Sequence, residues 1–167
     1  MASDAASGDP RVRSFWQRFV AATGIDGPYT AWSFGSNPTE LGLLVRDGPK
    51  RATASNYSWY RDDGEAMPAV GDMSVVLDGD GEPLCVIRTT DVSVRAFGEV
   101  DENFAWTEGE GDRSLAHWRR AHIEFFASEG RPVDENSEVV LERFEVLWPV
   151  PSKLGEEPGG TGLERSS

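Results

Sequence analysis

Apolar positions recur along this chain with two different periods, and they divide it into elements. Val12, Phe15, Trp16 and Phe19 return at intervals of three and four, which places them on one face of a helix. Asp9-Pro10 supplies a cap and a first-turn proline before them, and Gly24 a stop after them. A second helix is predicted from Asn37-Pro38-Thr39-Glu40, which reads as a capping box, with Leu41, Leu44 and Val45 as its buried stripe and Gly48 at its C-terminal end. Strands are predicted over Arg51–Ser55, Met73–Leu77 and Leu84–Val94, and the Asp78-Gly79-Asp80-Gly81 turn makes the last two a hairpin.

Tyr57, Trp59 and Tyr60 fall in the polar stretch Asn56–Met67, read as a loop. Asp101 is expected to cap a short helix, and Glu108-Gly109-Glu110-Gly111-Asp112 reads as a flexible acidic turn. Ser114 or Asp112 should then cap a helix in which Leu115, Trp118, His122 and Phe125 keep helical spacing. Glu138–Trp148 alternates as a closing strand, except that Phe144 breaks parity and hints at a bulge. The domain is placed at residues 10–150, between a flexible tail over 1–9 and a disordered Gly/Pro/Ser/Glu tail over 151–167. Periodicity alone therefore gives an α+β domain with a small curled sheet.

Composition narrows the chemistry. At 167 residues, 38% hydrophobic and 27% charged, the chain suits one globular domain. No apolar run approaches the ~20 residues needed to span a bilayer, and the polar start lacks a signal-peptide core, so a cytoplasmic location and no membrane partner are expected. A lone Cys85 excludes an internal disulfide and reads as a buried strand residue. The net charge of −13 argues against long duplex nucleic acid, whose binding rests on many phosphate contacts. The basic residues are fourteen arginines and only two lysines, Lys50 and Lys153. A lysine kept at an internal position in such a chain points to chemistry that guanidinium cannot do, since ammonium can give up its proton.

Lys50 also lies in Gly48-Pro49-Lys50-Arg51-Ala52-Thr53, and there the sequence resembles the ASCH family, whose signature is a Gly-x-Lys-x-x-Thr element entering the first barrel strand. Pro68-x-Val70-Gly71-Asp72, Ile87-Arg88-Thr89-Thr90 with Val92, and the run from Phe97 to Trp118 match longer bacterial members in the same order, so that the resemblance covers about Phe15 to Trp148. It implies a PUA-like small β-barrel with inserted and flanking helices. It also implies a role in binding RNA or a modified nucleoside. Short members that share the Lys-x-x-Thr element are amidohydrolases acting on N4-acetylcytidine; other members are described as ribonucleases. Carried over by motif, the catalytic set is Lys50, Thr53 and Glu108, the last placed by an acidic residue three positions after Ala105.

In that chemistry Thr53 would be the nucleophile, Lys50 the base, and Glu108 the general acid or the partner of the cytosine edge. Residues three apart on a regular strand face opposite sides, so Lys50 and Thr53 converge only if Lys50 lies in the turn after Gly48-Pro49 or the strand begins with a bulge. Tyr57, Trp59 and Tyr60 are candidates to stack on a base, with Arg51, Arg61 and Arg113 as further ligand contacts. His117 and His122 are five apart, do not share the helix face that zinc ligands need, and read as structural positions. Asp78–Gly81 lacks the later Glu of a calcium loop, and no metal or cofactor is expected. The expected partner is a nucleoside, nucleotide or short single-stranded RNA, handled by a hydrolase, a non-catalytic reader or a ribonuclease.

Overall fold

The computed structural model describes residues 4–150. The expectations for the C-terminal tail, Lys153 included, lie outside the described residues. Helices α1 (Asp4–Ser7) and α2 (Pro10–Thr23) precede strand β1 (Thr30–Trp32), and α3 (Pro38–Arg46) leads into β2 (Ala52–Asn56). Helix α4 (Tyr57–Asp63) and the hairpin β3 (Met73–Leu77) and β4 (Pro83–Ala96) follow, then α5 (Glu102–Glu108), α6 (Leu115–Ser128) and β5 (Glu138–Trp148). The five strands form one mixed sheet in the order β1-β3-β4-β5-β2, with only β1 and β3 parallel. The sheet curls into a half-barrel and the fold is α+β.

Local sequence explains most boundaries. Asp9 accepts a hydrogen bond from the Arg11 amide and Pro10 opens α2, while Gly24 closes it in the left-handed region at φ 74°. The Asp78 carboxylate accepts from the amides of Asp80 and Glu82, so its role is to fold the hairpin turn. The parity break at Phe144 corresponds to a register shift, with the extra residue on β4 between Thr89 and Asp91.

Four expectations are corrected. The capping box at Asn37 does not form: its backbone is left-handed at φ 43° and its side chain makes no cap hydrogen bond, a conformation asparagine tolerates. Gly48 does follow α3, but not with positive φ; a β-carbon there would lie 2.8 Å from the Leu44 carbonyl oxygen, so glycine is needed for close approach. Tyr57–Asp63 is helical, because the Asn56 side chain caps the Ser58 amide and Gly64 ends the segment. Asp4–Ser7, expected within a loose tail, forms one helical turn whose Ala6 packs against the α2 cluster.

Two core regions flank the candidate site. On one side Val12, Phe15, Trp16 and Phe19 of α2 pack against Ala31, Val75 and Val86 of the sheet. On the other, Phe104 and Ala105 of α5 and Trp118 and Phe126 of α6 pack against Ala52, Val139 and Leu141. Burying each large apolar side chain contributes about 1.5–3 kcal/mol, so both clusters anchor their helices to the sheet on either side of the site.

Candidate functional site

Lys50 sits in the turn before β2, as convergence with Thr53 requires. Three backbone links fix that turn. The Lys50 amide donates to the Leu44 carbonyl, the Arg51 amide to the Thr107 carbonyl, and the Phe144 amide to the Arg51 carbonyl. The second of these ties the turn to α5. Gly109, just past α5, takes φ 73°, and a β-carbon there would lie 2.9 Å from backbone atoms of Pro49 and Lys50. Glycine thus lets the end of α5 lie directly on the lysine turn, and the carboxylates on either side of it reach the ammonium.

The result is a buried charged cluster. Lys50 is 1% exposed and Glu108 2%. Lys50 Nζ donates to the Ala52 carbonyl at 2.8 Å and lies 3.8 Å from Glu108 and 3.5 Å from Glu110. Glu108 also receives the Trp118 indole N–H, and His122 Nε2 lies 2.8 Å from its other oxygen. The second imidazole nitrogen, Nδ1, lies 2.7 Å from the Trp118 carbonyl.

Burial favours the neutral form of every group here, and the charges decide the outcome. For Glu108 the burial penalty is outweighed by the charges of His122 and Lys50, which hold its carboxyl well below the usual range. For His122 burial acts downward, but Glu108's charge and hydrogen bond lift the imidazole above its ordinary value. Glu110 goes the other way: burial and the adjacent Glu108 raise it to about 7, against the opposing pull of Lys50. Two carboxylates two residues apart are thus pushed in opposite directions.

The cluster forms the floor of a 630 Å³ cavity in the mouth of the half-barrel, and Lys50, Thr53, Glu108, Trp59 and Tyr60 all line it. Trp59 also packs edge-on against Phe126, and the Tyr60 hydroxyl bonds Ser55 at 2.7 Å. Four of the proposed ligand contacts are not among its lining residues. Arg51 turns back to donate to the carbonyls of Val45, Gly48 and Lys50, closing the end of α3. Arg61 pairs with Asp62 at the surface, Arg113 stacks 3.6 Å over Trp106, and Tyr57 lies outside the lining.

Lining residues beyond the sequence-predicted set include Glu110, His122 and Glu142. Glu110 lies in an acidic, glycine-rich run that the pattern presents as a solvated turn, and His122 lies on a helix stripe whose spacing is that of a packing residue. Glu142 falls within the alternation of the closing strand and stands directly across from Thr53 in the β2–β5 register. Its carboxylate accepts from the Thr89 hydroxyl at 2.6 Å, and burial raises its pKa. Strand pairing was the available signal for Glu142: the closing strand must present some residue beside Thr53.

Glu108, Glu110 and His122 bring their potential ligand atoms within 4.8 Å of one another. They fit a cation poorly, because Lys50 and His122 already supply positive charge to both carboxylates. Among the described residues no helix is long and apolar enough to cross a membrane.

Comparison with known proteins fits this geometry. The family model for the ASCH domain matches residues 30–148. The chain belongs to the ASCH domain family. An ASCH domain from Lactobacillus crispatus is 37% identical, covers 83% of this chain and 95% of its own, and superposes with a TM-score of 0.76. A protein from Enterococcus faecalis is 33% identical with a TM-score of 0.70, over 81% of this chain and 87% of its own. Comparison with functionally curated proteins gives no match. The ASCH motif lysine and threonine here line one cavity together with the buried Glu108.

Proposed function

We propose that this ASCH domain binds a nucleobase or nucleoside in the half-barrel cavity and hydrolyses an exocyclic amide of the N4-acylcytidine type. The observation that carries the reading is that Lys50, Thr53 and Glu108 line one cavity although they come from a turn, a strand and a helix end. Thr53 Oγ is the nucleophile, Lys50 in its amine form takes the hydroxyl proton and passes it to the departing nitrogen, and the acyl carbon–nitrogen bond breaks to release the amino base and an acyl-threonine that water then hydrolyses.

The walls favour a flat ligand without phosphate. Tyr29, Trp32, Phe34, Trp59, Tyr60 and Phe125 offer aromatic faces. Six carboxylates, Glu65, Asp72, Glu108, Glu110, Glu129 and Glu142, line the cavity against Lys50 and His122, and no arginine is among the lining residues described. In a chain with fourteen arginines this is a poor surface for an RNA backbone. A nucleotide or short RNA, as ligand of a reader or ribonuclease, is therefore the less favoured reading.

The test is release of cytidine from N4-acetylcytidine, followed by chromatography, for the wild type and Lys50→Ala. Wild-type turnover that falls by about 100-fold or more in the variant is expected, the usual scale for removing a positioned acid or base. Binding of single-stranded RNA that weakens steeply with salt, without turnover of the nucleoside, would replace the hydrolase by a reader.

A further inference from the structure

From the strand that faces Thr53 we infer that Glu142 determines specificity: its free carboxylate oxygen accepts the N–H of the scissile amide, so the site selects secondary over tertiary amides. This rests on the amide-hydrolase reading above and adds to it a contact at the reacting end of the ligand.

Strand register brings the two residues together. Thr53 of β2 stands directly across from Glu142 of β5, and both line the cavity. Directly opposed residues of an antiparallel pair share a face, with β-carbons about 5 Å apart. A ligand whose acyl carbon reaches Thr53 Oγ therefore brings to Glu142 the atoms next to that carbon. In an N4-acylcytidine these are the acyl oxygen, the acyl chain and the amide N–H, and of the three the N–H alone is a donor. The ribose is attached across the ring from the amide, so its hydroxyls lie at the other end of the ligand.

A local irregularity in the neighbouring strand fixes how Glu142 is held. Strand β4 carries its extra residue between Thr89 and Asp91, so Thr90 and Asp91 are both exposed while Thr89 is buried. The Thr89 amide donates to the Asp72 carbonyl, and its carbonyl accepts from the Gly71 amide. From this anchored position the Thr89 hydroxyl donates to Glu142 Oε1 at 2.6 Å. One oxygen of the carboxylate is thus locked. The other, Oε2, has no hydrogen-bond or ion-pair partner among the described residues.

That leaves Glu142 unlike the carboxylates of the floor. Glu108 and Glu110 are answered by Lys50 and His122. Glu142 is answered by one hydroxyl. Burial raises its pKa, the Thr89 bond opposes the rise and the charge of Asp72 adds to it. A half-satisfied carboxylate away from water gains most from a ligand that supplies a donor, and a site built to accept an N–H rejects an analogue that lacks it. A tertiary amide would set an alkyl group against Oε2 and leave the oxygen unpaired.

The experiment measures kcat/KM on N4-acetylcytidine for the wild type, Glu142→Ala and Glu142→Gln. Each is also inhibited with N4-acetyl-N4-methylcytidine, which keeps the acyl group and has no N–H. Against the wild type, the inhibition constant of the methylated compound should exceed the KM of the substrate by about 10-fold or more, the scale of one hydrogen bond to a charged group. Glu142→Ala should lose about 10- to 100-fold on the substrate and admit the methylated compound at least as well as before. Glu142→Gln keeps the shape and can turn its carbonyl to the ligand, so it should lose less and still exclude the methylated compound. A methylated compound that competes with the wild type as well as the substrate does would overturn the assignment, and that comparison needs no variant to fold. So would a Glu142→Ala that is folded by urea titration and either keeps full turnover or excludes the methylated compound as firmly as the wild type. A wild type inactive on N4-acetylcytidine would remove the hydrolase reading itself, and this contact with it.

Discussion

Helices α2 and α6 are close to a matched pair. Each has fourteen residues and a side-chain N-cap, from Asp9 and Ser114, and each lays an aromatic stripe on the sheet. Each stripe holds a tryptophan whose indole N–H meets a carboxylate. On α2, Trp16 reaches Asp26 at 3.2 Å, an exposed aspartate that water solvates. On α6, Trp118 reaches Glu108, which is out of reach of water and must find its countercharge inside the protein. His122, one turn along α6 and stacked on Trp118 at 4.1 Å, supplies part of it, and Lys50 the rest. The two helices therefore bury similar shapes for different reasons: α2 fills the core, and α6 fills it while holding a charge in place.

The largest expected effect tests that difference directly. His122→Phe keeps the aromatic stripe and nearly the same volume but strands Glu108, and removing one partner of a buried pair costs about 3–5 kcal/mol. Urea unfolding followed by tryptophan fluorescence would measure it. The sign with pH follows from both partners. His122 is raised, so its contribution is complete below 6.5 and is lost as pH climbs through the folded value. Glu108 is lowered, so its contribution is complete above 4.5 and is lost as pH falls toward its folded value. The deficit should be full between those limits and shrink on either side. A deficit that is small and flat with pH would mean that α6, like α2, is packing alone.

A smaller effect should come from the glycine that joins α5 to the lysine turn. Gly109→Ala combines a left-handed backbone with contact on Pro49 and Lys50, and about 1–3 kcal/mol of destabilisation is expected. Because the strain falls between Glu108 and Glu110, turnover should drop more than stability explains. An activity loss matched by the unfolded fraction at the assay temperature would show that the glycine serves the fold and not the site.

Which of these features the sequence discloses depends on how far away their causes lie. The α2 boundaries, the β3–β4 hairpin and strand β5 have local causes, namely caps, turns and alternation, and they stand where periodicity placed them. Lys50 was legible because lysine is scarce, and its turn because Gly-Pro precedes it. Glu110 and His122 were not, and the reason is physical. An acidic, glycine-rich run is ordinarily solvated, and it is buried here because Lys50 and His122 bring countercharge from distant parts of the chain. A histidine on an aromatic stripe has the same spacing whether it packs or pairs. Arg51 failed in the opposite sense: adjacency to the motif suggested a ligand contact, but the unsatisfied carbonyls at the end of α3 claim its guanidinium.

The smallest effect completes the comparison from the α2 side. Phe19 is fully buried among Trp16 and its neighbours and meets no charged partner in its cluster. Phe19→Leu therefore changes packing alone and should cost about 1 kcal/mol, the range of volume-similar core swaps, with no dependence on pH between 4.5 and 8. Turnover at a temperature where both forms are folded should change little, since the α2 cluster meets the cavity at Tyr29 and Met73 but includes none of Lys50, Glu108, Glu110 and His122. Should Phe19→Leu instead lower turnover while both forms stay folded, the two helices would be coupled through the curl of the sheet, and α2 would belong to the mechanism as a support for the cavity and not only to the core.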